Sequence, residues 1–253
     1  MRPFAGLSQQ YSLLLKSVTK YVVFEADRTQ TEFLPPVGND MYILYARPGA
    51  GSAAVEAVLT ECGATFQLAD VPRSGRDYED YLGINPRGEI PSLQLPDHSI
   101  MTESAAMLIY LGDIFSDVGL APALDSVLRA RYLRWMIYFA SAVYAADLRF
   151  HHAARYSTDV SAADGIRAKA AIDLERDLSI FASALGKKPY VLGDLFSAVD
   201  IYAAMLVSWA PDVKGLFANH PEIKRHYDLV TARPTIAKVW ERNNLFLTLG
   251  TSA

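Results

Sequence analysis

The residues best suited to chemistry are Glu103 and Ser104, which open an apolar stretch twelve residues after a Gly-Glu-Ile-Pro turn ends at Pro91. A carboxylate can pair with an ammonium group, and a serine hydroxyl and N–H at a helix N-terminus can bind a carboxylate. A residue before proline is pushed toward extended geometry, so Ile90 would turn its N–H and C=O outward, and a cis bond at Pro91 would tighten the turn. The pattern indicates a site for an α-amino-acid head beside a backbone edge for a peptide. An ordinary turn, strand and capped helix is the alternative, because Glu and Ser are common in first turns.

The elements that must position these groups are predicted from hydrophobic periodicity and turn residues. Their order is βαβ, a poorly ordered crossover, then ββα. The predicted segments are a strand at residues 41–45, a helix at 53–62 that Gly63 ends, a strand at 65–71, a hairpin at 92–95 and 99–101, and a helix at 102–115.

This order, with a proline at the start of the third strand, resembles the thioredoxin-like domain of the glutathione transferases. The stretches Asn-Pro-Arg-Gly-Glu-Ile-Pro at residues 85–91 and Glu-Ser-Ala-Ala-Met-Leu-Ile-Tyr-Leu at 103–111 look like that family's first-domain motifs. From about residue 125 onward helix follows helix, and Gly186 is predicted to end one of them. Ser197 and Asp200 match the capping box of the family's second domain, a structural feature that nucleates a buried helix.

The resemblance covers about residues 41–244 and implies an α/β plus all-α fold. We expect a thioredoxin-like, glutathione-binding domain (βαβ-ββα) at residues 41–118 and an all-helical, substrate-binding domain at 125–245. Residues 1–40 lie outside the resemblance and are interpreted as an N-terminal extension or linker. They would be a flexible tail, an extra element packed on the body, or sequence upstream of a true start at Met41.

Composition limits the possible functions. A net charge of -4 gives no general electrostatic reason to bind nucleic acid. The single cysteine cannot form an internal disulfide, which suits a reducing compartment and predicts a cytoplasmic protein. No apolar run approaches the ~20 residues of a membrane span, and motifs typical of phosphate loops and zinc sites are absent from the sequence. No metal is therefore expected.

The resemblance implies that the protein activates the thiol of glutathione, its co-substrate; a free thiol has a pKa of about 8.5. Family members place a Tyr, Ser or Cys at or near the start of the first helix. Here the bacterial cysteine-type pattern Pro-Gly-x-Cys-Ser appears as Pro-Gly-Ala-Gly-Ser at residues 48–52, with Gly51 at the cysteine position. Chemistry through a mixed disulfide at this site is therefore disfavoured.

Two hydroxyl groups remain as catalytic candidates. Ser52 stands at the helix start, where its Oγ and the nearby N–H groups could meet a sulfur, and its alternative role is a plain N-cap. Tyr45 ends the first strand, and its alternative role is core packing. Backbone N–H groups around Gly51 and Ser52 are a third possibility. Cys62, at the other end of the same helix, is interpreted as buried and inert.

The resemblance also assigns the binding residues. Ile90 and Pro91 would hold the cysteinyl unit of glutathione, and Glu103 and Ser104 its γ-glutamyl end. Arg87 would meet the glycine carboxylate, with Arg47 and Arg73 as rivals.

The second substrate would meet Tyr144, Ala50 and Gly51. Tyr144 lies near the position at which cysteine-type members carry a histidine. His151 and His152 are neighbours on a predicted helix and point about 100° apart, so they are not expected to chelate a metal.

The function that follows is a glutathione S-transferase acting in detoxification, which activates glutathione for attack on a small hydrophobic electrophile. The family also includes dehalogenases, ether-cleaving enzymes, isomerases and peroxidases, and the residues do not choose among them. A homodimer is expected, formed through the helix begun by Glu103 and the helical stretch at residues 129–144. The alternative is a non-catalytic glutathione-binding or protein-interaction module of the same fold. Nucleic acid and membranes are not expected partners.

Overall fold

The computed structural model describes residues 41–246, so the extension predicted at residues 1–40 lies outside the described part of the chain. Its first half contains strands and helices in alternation. They are β1 (Tyr42–Ala46), α1 (Ser52–Glu61), β2 (Phe66–Asp70), α2 (Arg76–Leu82), β3 (Ser92–Gln94), β4 (Ile100–Met101) and α3 (Ser104–Ile114).

The second half is helical throughout. It contains α4 (Arg129–Tyr138), a π-helical segment (Phe139–Tyr144), α5 (Ala145–His151), α6 (Ala163–Leu185), α7 (Ala198–Ser208), α8 (Val213–Asn219), α9 (Pro221–Thr231) and α10 (Pro234–Arg242). Short 3₁₀ turns lie at Ser116–Val118, Ala153–Tyr156 and Val160–Ala162. Among the described residues, no helix has the length and apolar character that crossing a membrane requires.

The four strands form one mixed sheet in the order β2-β1-β3-β4. Leu44 in the middle of β1 pairs in parallel with Leu68 and antiparallel with Leu93. Along β1, Tyr42, Leu44 and Ala46 are buried while the residues between them are partly exposed, as expected for alternating sides of a strand. The predicted fold class, a thioredoxin-like α/β region followed by an all-helical region, is confirmed.

Helix α1 is buried along most of its length because it packs against α3 as well as α7 and α10 of the helical region. Its two carboxylates are held by α10 and by the residues directly before and after it. Glu56 forms an ion pair with Arg242 and accepts a hydrogen bond from Asn243 (3.0 Å), and Glu61 pairs with Arg233 (2.6 Å). Buried charges need such partners, so these contacts fix the middle and the C-terminal end of α1 against α10 and its flanking residues.

The expectation of a poorly ordered crossover between the second and third strands is wrong, because α2 lies there. Of its residues only Tyr81 is buried, so the segment shows no repeated apolar face from which sequence periodicity could have revealed it. Asp77 and Glu79 in its first turn favour the helix through its dipole.

Two other local predictions are confirmed. Helix α6 ends at Leu185, followed by Gly186 with a positive φ of 51°. Ser197 and Asp200 form the capping box of α7, in which the Ser197 N–H donates to the Asp200 carboxylate (2.9 Å).

Candidate functional site

The segment before Pro91 is fixed through a single carbonyl. The oxygen of Glu89 accepts hydrogen bonds from the Tyr81 hydroxyl (2.6 Å) and from the Asn85 amide (2.7 Å). The same tyrosine oxygen lies 2.7 Å from the Ser92 hydroxyl, so both sides of the Ile90–Pro91 bond, which is cis, are anchored to α2. The N–H and C=O of Ile90 have no hydrogen-bond partner within residues 41–246. The predicted backbone edge is therefore open.

Glu103 and Ser104 lie at the same end of the hairpin as this edge. Strand β3 begins directly after Pro91, and its antiparallel partner β4 ends two residues before Glu103, so both segments leave the hairpin at the same end. Glu103 is exposed and has φ of +67°, an uncommon conformation for a residue with a side chain. Ser104 begins α3, is 7% exposed, and its hydroxyl lies 3.1 Å from that of Tyr202 in α7. An acidic group, a helix N-terminus and an unpaired backbone edge are thus brought together.

Ser52 begins α1, at the predicted helix start, but its hydroxyl is already hydrogen-bonded. Its side chain is 1% exposed, and its hydroxyl both accepts from the N–H of Arg47 and donates to the carbonyl of Arg47, each at 3.2 Å. This geometry argues against a role for the Ser52 hydroxyl in chemistry, because the group is occupied in closing the loop before α1. In the described residues neither the Ser52 N–H nor the Gly51 N–H has an acceptor, so donors at this helix start remain available.

Tyr45 lies on the other side of the sheet from α1. Strand alternation sends Leu44 and Ala46 toward the core, whereas the Tyr45 ring packs against that of Tyr81 in α2, with centroids 5.6 Å apart. The structure therefore does not bring Tyr45 together with the N-terminus of α1.

Tyr144 reaches the N-terminus of α1 from the helical region. A Cβ atom at Gly51 would collide with the Tyr144 hydroxyl, and it would lie 3.5 Å from the Cδ of Pro91. The Tyr144 ring packs against the rings of Tyr202 (6.3 Å) and Trp209 (5.4 Å). Burial raises the pKa of Tyr144 well above its usual range, so its hydroxyl stays protonated. Tyr144 thus contacts Gly51, which lies beside Pro91, and the surface that these three residues form with the half-buried Ala50 is called the cleft below.

The three candidate cations differ in what they already bind. Arg87 is exposed and makes a two-point ion pair with Glu89 (2.9 and 3.0 Å). Arg47 donates to the carbonyls of Val71 (2.9 Å) and Pro72 (2.8 Å). Burial, with Arg73 and Arg155 nearby, lowers the pKa of Arg47, so several positive charges lie close to Arg47.

The remaining reactive side chains do not join the site. Cys62 is partly exposed rather than buried as predicted. Burial of its thiol, followed by the nearby Glu61, raises the pKa of Cys62 to about 12, which favours the protonated, unreactive form at neutral pH. His151 lies 2.9 Å from the carbonyl oxygen of Trp209 and 3.3 Å from Asp147. In the described part of the chain no three His, Cys, Asp or Glu side chains are arranged to hold a metal ion.

Two family models match the chain: the glutathione S-transferase N-terminal domain at residues 52–114 and the C-terminal domain of the same family at residues 166–234. Glutathione S-transferase GstA of Escherichia coli O157:H7 is 30% identical over 196 residues, which are 76% of this chain and 94% of that protein. The chain belongs to the glutathione S-transferase family. Glutathione S-transferase 3 of Zea mays is 27% identical, over 77% of this chain and 91% of the maize protein.

Solved structures agree with this assignment. A glutathione transferase homologue from Sulfitobacter with bound glutathione shares 30% identity and a TM-score of 0.73, covering 80% of this chain and 98% of its own. A sphingomonad glutathione S-transferase complexed with glutathione shares 28% identity and a TM-score of 0.69, covering 81% and 100%. The relatives support the enzyme class as well as the fold, so the protein is a glutathione S-transferase.

Sequence reasoning missed the residues that hold this glutathione S-transferase cleft in shape. Tyr81 and Asn85 fix the Glu89 carbonyl, and Tyr202 binds Ser104. Asn85 begins the family-like motif at residues 85–91, which was the only available signal for its role. Tyr81 and Tyr202 carried no signal, since a tyrosine in a helix is usually part of a core.

Proposed function

We propose that the cleft binds glutathione and lowers the pKa of its thiol for attack on a small, apolar electrophile. The observation that carries this proposal is the open backbone edge of Ile90, at the same end of the hairpin as Glu103 and the N-terminus of α3. An extended peptide can pair with the edge while its α-amino-acid end meets one group of each polarity. Relatives from Sulfitobacter and a sphingomonad were solved with glutathione bound.

The proposed subsites follow the length of the tripeptide. Glu103 pairs with the γ-glutamyl ammonium group, and the Ser104 N–H and hydroxyl receive the neighbouring carboxylate. Ile90, before Pro91, exchanges backbone hydrogen bonds with the cysteinyl unit. Arg87 binds the glycine carboxylate. For this, the Arg87 guanidinium must bind the glycine carboxylate and Glu89 at the same time. If it does not, Arg47 or Arg73 binds the glycine carboxylate instead.

The sulfur then lies at the N-terminus of α1. The unpaired N–H groups of Gly51 and Ser52 point from the positive end of the helix and would favour a thiolate. The side chains of Ser52 and Tyr45 are the two other proposed donors, although one hydroxyl is already bonded and the other lies across the sheet. The electrophile would bind next to the sulfur, against the surface that Tyr144 forms with Ala50 and Gly51.

Turnover combined with a thiol titration tests this function. With saturating glutathione, ultraviolet thiolate absorption should give a bound-thiol pKa at least about one unit below the free value of about 8.5, and the protein should conjugate an activated aromatic halide. Glutathione binding without turnover and without a lowered thiol pKa would contradict the proposal and would favour a non-catalytic binding module. A cytoplasmic location belongs to the same proposal, because the glutathione pool and a single free cysteine both suit a reducing compartment.

We also propose a homodimer formed by α3 and α4. Ile114 near the end of α3 is 55% exposed and Ile137 in α4 is 54% exposed, while Arg129 of α4 pairs with Asp113 of α3 (2.6 Å) and joins the two helices into one surface. Exposed apolar residues beside charges are typical of subunit interfaces.

Light scattering at micromolar concentration should therefore give twice the chain mass. Ile137→Glu should increase the monomer fraction several-fold, because a charge would be buried at the interface. Ile172→Glu is the matched control, since Ile172 is 64% exposed on α6 and outside this surface. A wild-type monomer, or equal effects of the two changes, would contradict the dimer proposal.

A further inference from the structure

Gly51 and Tyr144 lie far apart in the sequence but contact each other, and the glycine leaves the space that the tyrosine occupies. Gly51 has φ of -57° and ψ of -13°, a conformation open to any residue, so the backbone does not require glycine there. What requires it is space: a Cβ would collide with the Tyr144 hydroxyl and would lie 3.3 Å from the ring carbon that bears it. The tip of Tyr144 thus fills the volume that a side chain at residue 51 would occupy.

The Tyr144 hydroxyl is a free donor in a fixed position. Within the described residues it has no hydrogen-bond partner, in contrast to Tyr138, Tyr202 and Tyr81. Its ring is held by the rings of Tyr202 and Trp209. Tyr144 is also the last residue of the π-helical segment, a type of helical irregularity often found at functional sites.

The groups around this hydroxyl disfavour its ionisation. Burial is the main cause of its raised pKa, and Tyr202, Asp147, Glu89 and Glu103 act in the same direction. The hydroxyl therefore keeps its proton across the neutral range and can donate it in a hydrogen bond.

We propose that Tyr144 is a catalytic residue, whose hydroxyl donates a hydrogen bond to the glutathione sulfur from the space left by Gly51. The inference rests on the proposed function, since it needs glutathione in the cleft. The thiol releases its proton to solvent, and the thiolate that remains accepts hydrogen bonds from the tyrosine and from the N–H groups of Gly51 and Ser52. A donor from the helical region thus takes the place of a side chain at residue 51, directly before α1.

Tyr144→Phe, which removes only the oxygen, provides the test. A hydrogen bond to a charged acceptor is strong enough that its loss should raise the pKa of bound glutathione by about one unit or more and lower kcat at neutral pH about tenfold or more. The KM for glutathione should change less than about threefold, because the peptide contacts are elsewhere. Tyr138→Phe is the control, since the Tyr138 hydroxyl contacts Asp177 at 3.3 Å, and it should leave the thiol titration unchanged.

Gly51→Ala is an independent second variant. Its Cβ must displace the Tyr144 hydroxyl, so the thiol pKa should rise as it does in Tyr144→Phe, while the melting temperature reports whether the fold is kept. An unshifted titration in both variants, with a lowered thiol pKa in the wild type, would overturn the inference but leave the proposed function standing. A shift in Ser52→Ala or Tyr45→Phe alone would assign the donor to that residue instead. If the wild type does not lower the thiol pKa, the proposed function itself is wrong.

Discussion

Replacing Asp200 by alanine is expected to lower the free energy of unfolding by about 3–5 kcal/mol, the range for breaking one side of a buried charged network. Asp200 and His226 are both fully buried, with the His226 Nε2 2.9 Å from the carboxylate. The same carboxylate accepts from the Val191 N–H (2.8 Å) and from the N–H (2.9 Å) and hydroxyl (3.1 Å) of Ser197. Removing it leaves several buried donors without an acceptor, and each of these costs free energy.

Urea unfolding measures this effect, with Asp194→Ala as the control, because Asp194 is exposed three residues before the cap. Asp200→Asn keeps the shape of the side chain and one hydrogen-bond acceptor. It should therefore lower the free energy of unfolding less than Asp200→Ala does. A loss below about 1 kcal/mol for Asp200→Ala, similar to that of a surface change, would show that this network does not stabilise α7 as described.

Replacing Glu103 by alanine should weaken glutathione binding at least about tenfold. An exposed carboxylate at the same end of the hairpin as Pro91 offers a charge-assisted hydrogen bond to the γ-glutamyl ammonium group, worth about 1.5–3 kcal/mol. Calorimetry with the folded variant measures the affinity, and Glu103→Gln should fall between the wild type and alanine because it keeps one acceptor without the charge.

Glu241→Ala is the control for this change, since Glu241 is an exposed acidic residue at the end of α10. It should leave the affinity unchanged. If the wild type and Glu103→Ala bind glutathione with equal affinity, the assignment of Glu103 to the γ-glutamyl site is wrong.

Local patterns in the sequence predicted the fold well. A residue before proline, a β-branched strand and a capping box each depend on neighbours a few residues away, so residues 85–91 and the Ser197–Asp200 box were recognisable. Helix α2 was missed because only one of its side chains is buried, and amphipathic periodicity needs several.

The candidate site was only partly predictable because its geometry depends on contacts between distant residues. Ser52 was favoured as a donor from its place at a helix start, but its hydroxyl bonds the backbone of Arg47, which no spacing rule reveals. The approach of Tyr144 to Gly51 depends on the π-helical segment and on the packing of two regions of the chain. The sequence could place Tyr144 near the cleft, but it could not show that the Tyr144 hydroxyl lies against Gly51.

A crystal structure with glutathione bound tests the central claim most directly. In that structure the cysteinyl unit should pair with the backbone of Ile90 and Glu103 should contact the γ-glutamyl ammonium group. The sulfur should lie within about 3.5 Å of the Tyr144 hydroxyl at the start of α1. Glutathione bound away from Ile90, or a sulfur directed away from both Tyr144 and the N–H groups of Gly51 and Ser52, would contradict it.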